Sequence, residues 1–326
     1  MHEGKLLYLS MRDVEAADVG VEEIIKALER TYVEKGHGHV EMPSKIGIHT
    51  RPDALIHAMP GYILSSGVAG TKWVSAYPEN YKYNLPQVTG LIVLNSADTG
   101  VPYCVMDCRW VTAKRTGAKT AVAAGFLARP DSRSVGIIAC GVQGRSNLEA
   151  LALRFEIEQV YAYDIRREAV ERYVSEMSKE LHLSIEVVET PEQAVRDMDI
   201  VVTSGPIHKK PAPVIENDWL KPGAFAAPVD FDSYWKGETL RGVDVFATDD
   251  ADQLFSYQKA GYFREIPRRE RVLDLGDVAA GEAPGRQDSR QRTMAMNLGL
   301  ALDDMAVAPL VYRAAVEKGI GVLLDL

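Results

Sequence analysis

The chain has 326 residues, 46% of them apolar and 25% charged, with a formal net charge of −9. That is an ordinary composition for a soluble globular protein, and at about twice the usual ~150-residue domain it predicts two domains or one large one. No basic field is available to attract nucleic acid or anionic lipid, so neither is an expected partner, and a small-molecule substrate is expected instead.

No apolar run approaches the ~20 residues needed to cross a bilayer. Glu3, Arg12 and Asp13 come too early for a signal-peptide segment. Three cysteines, Cys104, Cys108 and Cys140, form no disulfide framework. A cytoplasmic protein whose thiols are small core residues is therefore expected. His37-Gly-His39 reads as a solvated turn, because no acidic or thiolate group is spaced to complete a metal site.

In chain order, residues 21–32 (VEEIIKALERTY) place Ile24, Ile25, Leu28 and Tyr32 at helical spacing and predict an amphipathic helix. Leu91-Ile-Val-Leu94 and Tyr103-Cys-Val-Met106 bracket turn residues and predict a hairpin. The alanine-rich stretch 113–127 predicts a buried helix, ended by Arg129-Pro130-Asp131. From residue 132 strands and helices alternate: strands at 134–140, 159–163, 184–188, 199–203, 224–229 and 243–247, with helices at 145–155 and 167–181. Thr190-Pro-Glu-Gln193 opens a further short helix with a capping box. Such alternation requires crossover connections and a parallel sheet with helices on both faces. The block 293–315 reads as a single apolar helix that packs on the first domain or a partner subunit.

The first strand of the alternating half runs into Ala139-Cys-Gly-Val-Gln-Gly144, a dinucleotide-binding fingerprint with Ala139 in the first glycine position. Gly141 allows a backbone approach to pyrophosphate, Gly144 allows close helix–strand packing, and the following helix start attracts the anion. Asp164, about 20 residues on, ends the next strand, where a carboxylate accepts ribose hydroxyls. It also repels a 2′-phosphate and favours NAD over NADP, with Arg166 close by. Ala139, Gly141, Val142, Gln143, Gly144, Asp164 and Arg166, with Thr203 and Ser204 at the end of a later strand, make up the expected cofactor-binding set. In the first half, Lys45, Lys72 and Arg115 are cations in apolar text. Burying a cation is costly unless it is paired or faces a cleft, so they are candidates to hold a carboxylate.

These residues resemble the ornithine cyclodeaminase/mu-crystallin family, which includes alanine dehydrogenases and ketimine reductases. The similar text runs through nearly the whole chain: the Lys72 segment with Tyr77-Pro-Glu-Asn80, Leu85-Pro86, Asp98-Thr-Gly-Val-Pro102, Val111-Thr-Ala-Lys-Arg-Thr116, Gly141-Val-Gln-Gly144, Leu220-Lys-Pro-Gly223, Leu275-Gly-Asp-Val278 and Leu298-Gly-Leu-Ala-Leu-Asp303. The resemblance implies an α/β homodimer. Its Rossmann-type doubly wound domain (129–299) accompanies a discontinuous α+β substrate-binding and dimerisation domain (1–128, completed by 300–326). Substrate and nicotinamide are implied to meet in the cleft.

By matched position, Lys72 and Arg115 hold the substrate carboxylate. Asp232, nine residues after Gly223, is the acid/base group, with Asp230 as its alternative. Lys45 stands where the family carries arginine. His57 and Gln87 occupy places associated with ornithine handling, where a carboxylate and a threonine are expected of a cyclodeaminase. The implied activity is NAD(H)-dependent oxidation or reduction at the CH–NH bond of a small amino acid, its imine, or a 2-oxo acid with an amine. Lys72 and Asp232 are the catalytic pair. Two alternatives are a cyclodeaminase-type lyase with catalytic NAD, and a non-catalytic mu-crystallin-like protein that binds nucleotide and ligand.

Overall fold

The computed structural model describes residues 4–51, 53–208 and 210–326. It divides into two compact units, one built from residues 1–115 and 300–326 and the other from 116–299. In chain order the first unit contains β1 (Lys5–Leu9), α1 (Met11–Ala16), α2 (Val21–Gly36), β2 (Val40–Glu41), β3 (Ile46–Arg51), β4 (Ala54–Ile63), β5 (Val68–Ala76), β6 (Val88–Ser96) and β7 (Pro102–Asp107). The division falls inside the next helix, α3 (Arg109–Leu127), at Arg115/Thr116. Arg129-Pro130 lies within the second unit, after that helix.

The second unit continues with β8 (Ser134–Ile138), α4 (Val142–Ala152), β9 (Gln159–Tyr163), α5 (Arg167–Leu181), β10 (Ile185–Val187), α6 (Pro191–Val195), β11 (Ile200–Thr203) and β12 (Phe225–Pro228). It then runs through α7 (Gly237–Gly242), β13 (Val245–Thr248), α8 (Ala251–Lys259), β14 (Val272–Asp274), α9 (Leu275–Ala280) and β15 (Thr293–Met296). The last elements, α10 (Ala301–Lys318) and β16 (Val322–Asp325), return to the first unit.

The second unit's sheet has the order β10-β9-β8-β11-β12-β15-β13-β14, and all its pairings are parallel. This is a Rossmann-type doubly wound sheet, whose winding reverses between the parallel neighbours β8 and β11. Every residue of β8, β11 and β12 is buried, as expected where helices cover both faces. The Thr190 capping box forms at the start of α6, with Gln193 Oε1 accepting from the Thr190 backbone N–H at 3.1 Å.

Helix α3 starts at Arg109, four residues before the expected 113, and two further elements differ from the sequence expectation. Helix α4 starts at Val142 rather than 145, directly on the glycine turn. Thr293-Met-Ala-Met296 is a strand between β12 and β13, not the first turn of a long helix. A short apolar run suits a strand buried on both faces as well as it suits a helix, so periodicity does not separate them. The chain breaks at Gly299 (φ +81°) before α10 begins.

In the first unit the sheet order is β16-β1-β7-β6-β5-β4-β2, with β3 pairing β4. The predicted β6/β7 hairpin forms, with Leu94 opposite Cys104. Residues alternate between faces along each strand. Met59, Val74, Ile92, Leu94 and Met106 are buried on one face, where Gly61 and Gly70 admit Ala301 and Met305 of α10. A methyl group on Gly61 would lie 3.2 Å from Ala301 Cβ, and one on Gly70 3.0 Å from Met305 Sδ. On α2 the expected Ile24, Ile25, Leu28 and Tyr32 are buried. All three cysteines are buried free thiols. No helix of the described residues is long and apolar enough to cross a membrane.

Candidate active site

In the first unit, strand pairing sets Lys72 (β5) between Met59 (β4) and Ile92 (β6), on the face that α10 covers. Its side chain is almost fully buried, and its Nζ lies 2.6 Å from Asp304 Oδ2 and 3.5 Å from Thr112 Oγ1. Arg115, buried on α3, places Nη1 3.3 Å from Asp303 Oδ2 and Nε 3.5 Å from Asp304 Oδ1. Asp303 in turn accepts from Tyr32 Oη at 3.0 Å and from the Leu300 N–H at 2.9 Å. Two cations and two carboxylates thus form one buried cluster. Burial pushes the Lys72 ammonium below the ordinary lysine range; Asp304 opposes this and the Arg115 charge adds to it.

His57 follows the same face of β4, two residues from Met59 and opposite Val74. Burial, with the charges of Lys45 and His49, pushes its imidazole down to about 4, so it is neutral at pH 7. Lys45 immediately precedes β3, whose Ile46 pairs with Ala58. The structure therefore brings Lys72 to Arg115 and Lys45 to His57. It does not bring Gln87 to the cations. Gln87 immediately precedes β6, exposed, and its carboxamide donates to the Pro78 carbonyl at 3.1 Å.

In the second unit, the turn after β8 has the geometry an anion requires. Ala139, in the first glycine position, adopts φ +73°. Gly141 is the N-cap of α4 and has no side-chain cap, so the first-turn N–H groups of Val142, Gln143 and Gly144 point outward. A methyl group on Gly141 would meet nothing within 4 Å, which leaves the approach open; on Gly144 it would lie 2.5 Å from the Ala139 carbonyl oxygen. Only glycine fits there. Ser204 Oγ donates to that same carbonyl at 2.8 Å and fixes the turn.

Asp164, beyond β9, accepts from the Cys140 N–H through Oδ2 and from the Arg166 N–H through Oδ1, both at 2.9 Å. Each oxygen keeps a second lone pair for a ribose hydroxyl. The Arg166 side chain is exposed at the rim. Ile165 (81% exposed) and Val142 (64%) flank the crevice as bare apolar surface. These residues fit a dinucleotide.

Thr203 is placed differently from a cofactor contact. It is fully buried, and its Oγ1 donates to Asp230 Oδ1 at 2.6 Å and accepts from Trp235 Nε1 at 2.9 Å. Asp230 also accepts from the Gly205 N–H at 2.7 Å. Burial pushes its carboxyl up to about 7, against those two hydrogen bonds, which favour the charged form. Phe231, at φ +62°, separates it from Asp232. Oδ1 of Asp232 is buried with no hydrogen-bond partner among the described residues, and burial raises its pKa too.

Sequence reasoning missed Asp303 and Asp304, which lie in a helix remote in sequence from the cations they meet. It also missed Ile165, whose only signal was its place one residue after the ribose-binding carboxylate.

Comparison with known proteins gives concordant results. Residues 6–319 match the sequence model of the ornithine cyclodeaminase/mu-crystallin family. A nodulation efficiency protein of Rhizobium meliloti is 35% identical over 98% of each chain. Among solved structures, the Thermococcus litoralis Δ1-pyrroline-2-carboxylate reductase in complex with NADH and L-proline superposes with a TM-score of 0.88 and 31% identity, covering 97% of this chain and 99% of that one. An archaeal alanine dehydrogenase dimer with bound NAD gives 0.87 and 30%, covering 99% of each.

Proposed function

Since this chain belongs to the ornithine cyclodeaminase/mu-crystallin family, we propose that it is an NAD(H)-dependent oxidoreductase acting on the CH–NH bond of a small α-amino acid or its imine. The observation that carries this reading is the glycine turn, with its uncapped helix start and the Asp164 carboxylate beside it. One relative of known structure is a complex with NADH and L-proline, and another has NAD bound. The bound dinucleotide supplies the hydride chemistry.

The chain's own residues divide the remaining work. The first-turn N–H groups of α4 hold the pyrophosphate, and Asp164 holds the adenosine ribose, preferring NADH to NADPH by charge. Arg115 and Lys72 hold the substrate carboxylate and orient the α-carbon. Orientation of this kind contributes several kcal/mol to lowering a barrier. Asp303 and Asp304 lie against those two cations, and Lys45 adds a third positive group near His57. Asp232 exchanges the amine proton: its unpartnered Oδ1 and raised pKa make it more basic than an ordinary carboxylate. Asp230 is committed to Thr203 and Gly205, and holds the loop on which Asp232 sits.

Trp73, Ile46 and Leu91 stand out from the sheet face that α10 leaves bare, which supports a homodimer like that of the alanine dehydrogenase. The three unpaired thiols suit the reducing cytoplasm.

The test follows NADH absorbance with 2-oxo acids plus ammonia or methylamine, and with cyclic imino acids. Stoichiometric NADH oxidation by one of these is expected. Asp232→Asn should lower kcat by ~10²-fold or more while NADH affinity is kept. Sustained conversion of ornithine to proline with only trace NAD, and no net change in NADH, overturns the assignment.

A further inference from the structure

Tyr234 lies in the loop that carries Asp230 and Asp232, and everything around it is pinned. The Ser233 hydroxyl donates to the Asp230 carbonyl at 2.6 Å, Trp235 Nε1 donates to Thr203, and the Tyr234 carbonyl accepts from the N–H groups of Val214 and Ile215 at 2.9 and 2.8 Å. The Tyr234 ring is set against the backbone of Gly205: a methyl group there would lie 2.5 Å from the phenol oxygen and 2.7 Å from Cε2. Gly205 follows β11. The phenol also lies within electrostatic reach of Asp230, beyond β12, and of Asp164, beyond β9. In the sheet order β9-β8-β11-β12, the strand between these groups on the β9 side is β8, whose carboxyl end opens into the glycine turn. The ring therefore spans the point where the winding reverses, which is where α/β sheets of this kind receive their ligands. Its hydroxyl makes no hydrogen bond among the described residues. Burial and the neighbouring carboxylates push the phenol up to about 12, so it stays a protonated donor.

We propose that Tyr234 is a cofactor-binding residue, with its hydroxyl donating to a ribose or phosphate oxygen of the dinucleotide while its ring closes that part of the crevice. The inference rests on the NAD(H) reading above and adds a residue outside the glycine turn to it.

The test is NADH titration, followed by nicotinamide fluorescence, of the wild-type protein, Tyr234→Phe and Tyr234→Ala, with a thermal melt of each. Tyr234→Phe keeps the ring and its packing and should bind NADH about 5-fold more weakly, the loss of one net hydrogen bond. Tyr234→Ala should bind more weakly still. Wild-type affinity in both variants overturns the proposal, as does tighter binding by Tyr234→Ala, which would make the ring an obstruction. If the wild-type protein fails to bind NADH, the broader reading falls together with this one. Loss confined to the Tyr234 variants separates the two.

Discussion

Ala139 carries a backbone strain that its neighbours hold in place. A non-glycine residue in the left-handed region costs about 1–2 kcal/mol, yet its N–H donates to the Tyr163 carbonyl at 2.8 Å and its carbonyl accepts from Ser204. These two anchors leave the residue no other conformation. Replacing it by glycine removes the strain but adds ~0.5–1 kcal/mol of unfolded-chain entropy. Ala139→Gly should therefore stabilise the protein by roughly 0.5–1 kcal/mol, read as a higher urea midpoint. A lower midpoint would mean that the methyl group makes contacts worth more than the strain. At this scale much of the site was legible: Lys72 and Arg115 stand out as charges in apolar text, and the glycine turn announces itself by its spacing. Their counter-ions were hidden because the contact is wholly non-local, with Arg115 and Asp303 separated by 188 positions. The depletion of free donors at Thr203 was equally invisible, since no local pattern records that a hydroxyl is already used.

The loop after β12 shows how an element can carry the pH response of a site. Asp230 has an ordinary carboxyl value of 3.8 when unfolded and about 7 in the folded chain, with burial as the main cause and Asp232 adding to it. Between those values the folded state binds the proton more tightly than the unfolded state does. The stability it confers is therefore fully present below about pH 4 and is lost as pH rises through about 7. Asparagine cannot ionise, so melting temperatures of Asp230→Asn should change less than those of the wild type from pH 5 to 8. The variant should also gain on the wild type toward pH 8. Parallel curves would show that the Thr203 and Gly205 hydrogen bonds keep the carboxylate charged throughout. Element identity was easiest to read where a pattern was long: residues 159–163 and 167–181 form a strand and a helix over those very spans. It failed at β15, whose four buried residues offer no period, and at the start of α4, where the glycine turn leads straight into a helix that composition alone would not begin so early.

At the scale of the whole molecule, one sheet face of the first unit remains to be accounted for. α10 packs on the face that carries Met59, Lys72 and Ile92, so the alternate residues point the other way. Strand register aligns Ile46, Ala58, Trp73 and Leu91 in one row across β3, β4, β5 and β6. Ile46 is 69% exposed, Trp73 50% and Leu91 41%, and no helix among the described residues covers them. A contiguous exposed apolar row of this kind marks an interaction surface, and residues such as tryptophan near the centre of an interface supply a large share of its energy. In the homodimer proposed above, self-association through this face would give a closed two-fold pair in which each row meets its counterpart. A charge placed at the middle of the row then has to be buried twice in every dimer, once from each copy, without a partner. Trp73→Glu and Leu91→Arg should each shift the sedimenting species from dimer toward monomer, by at least ~10-fold in dissociation constant, a cost of about 1.4 kcal/mol. Both positions lie on the solvent side of their strands, so the monomer should keep its fold, as far-ultraviolet circular dichroism would show. A wild-type protein that sediments as a monomer, or variants that stay dimeric at the same concentrations, would remove this face as the subunit contact.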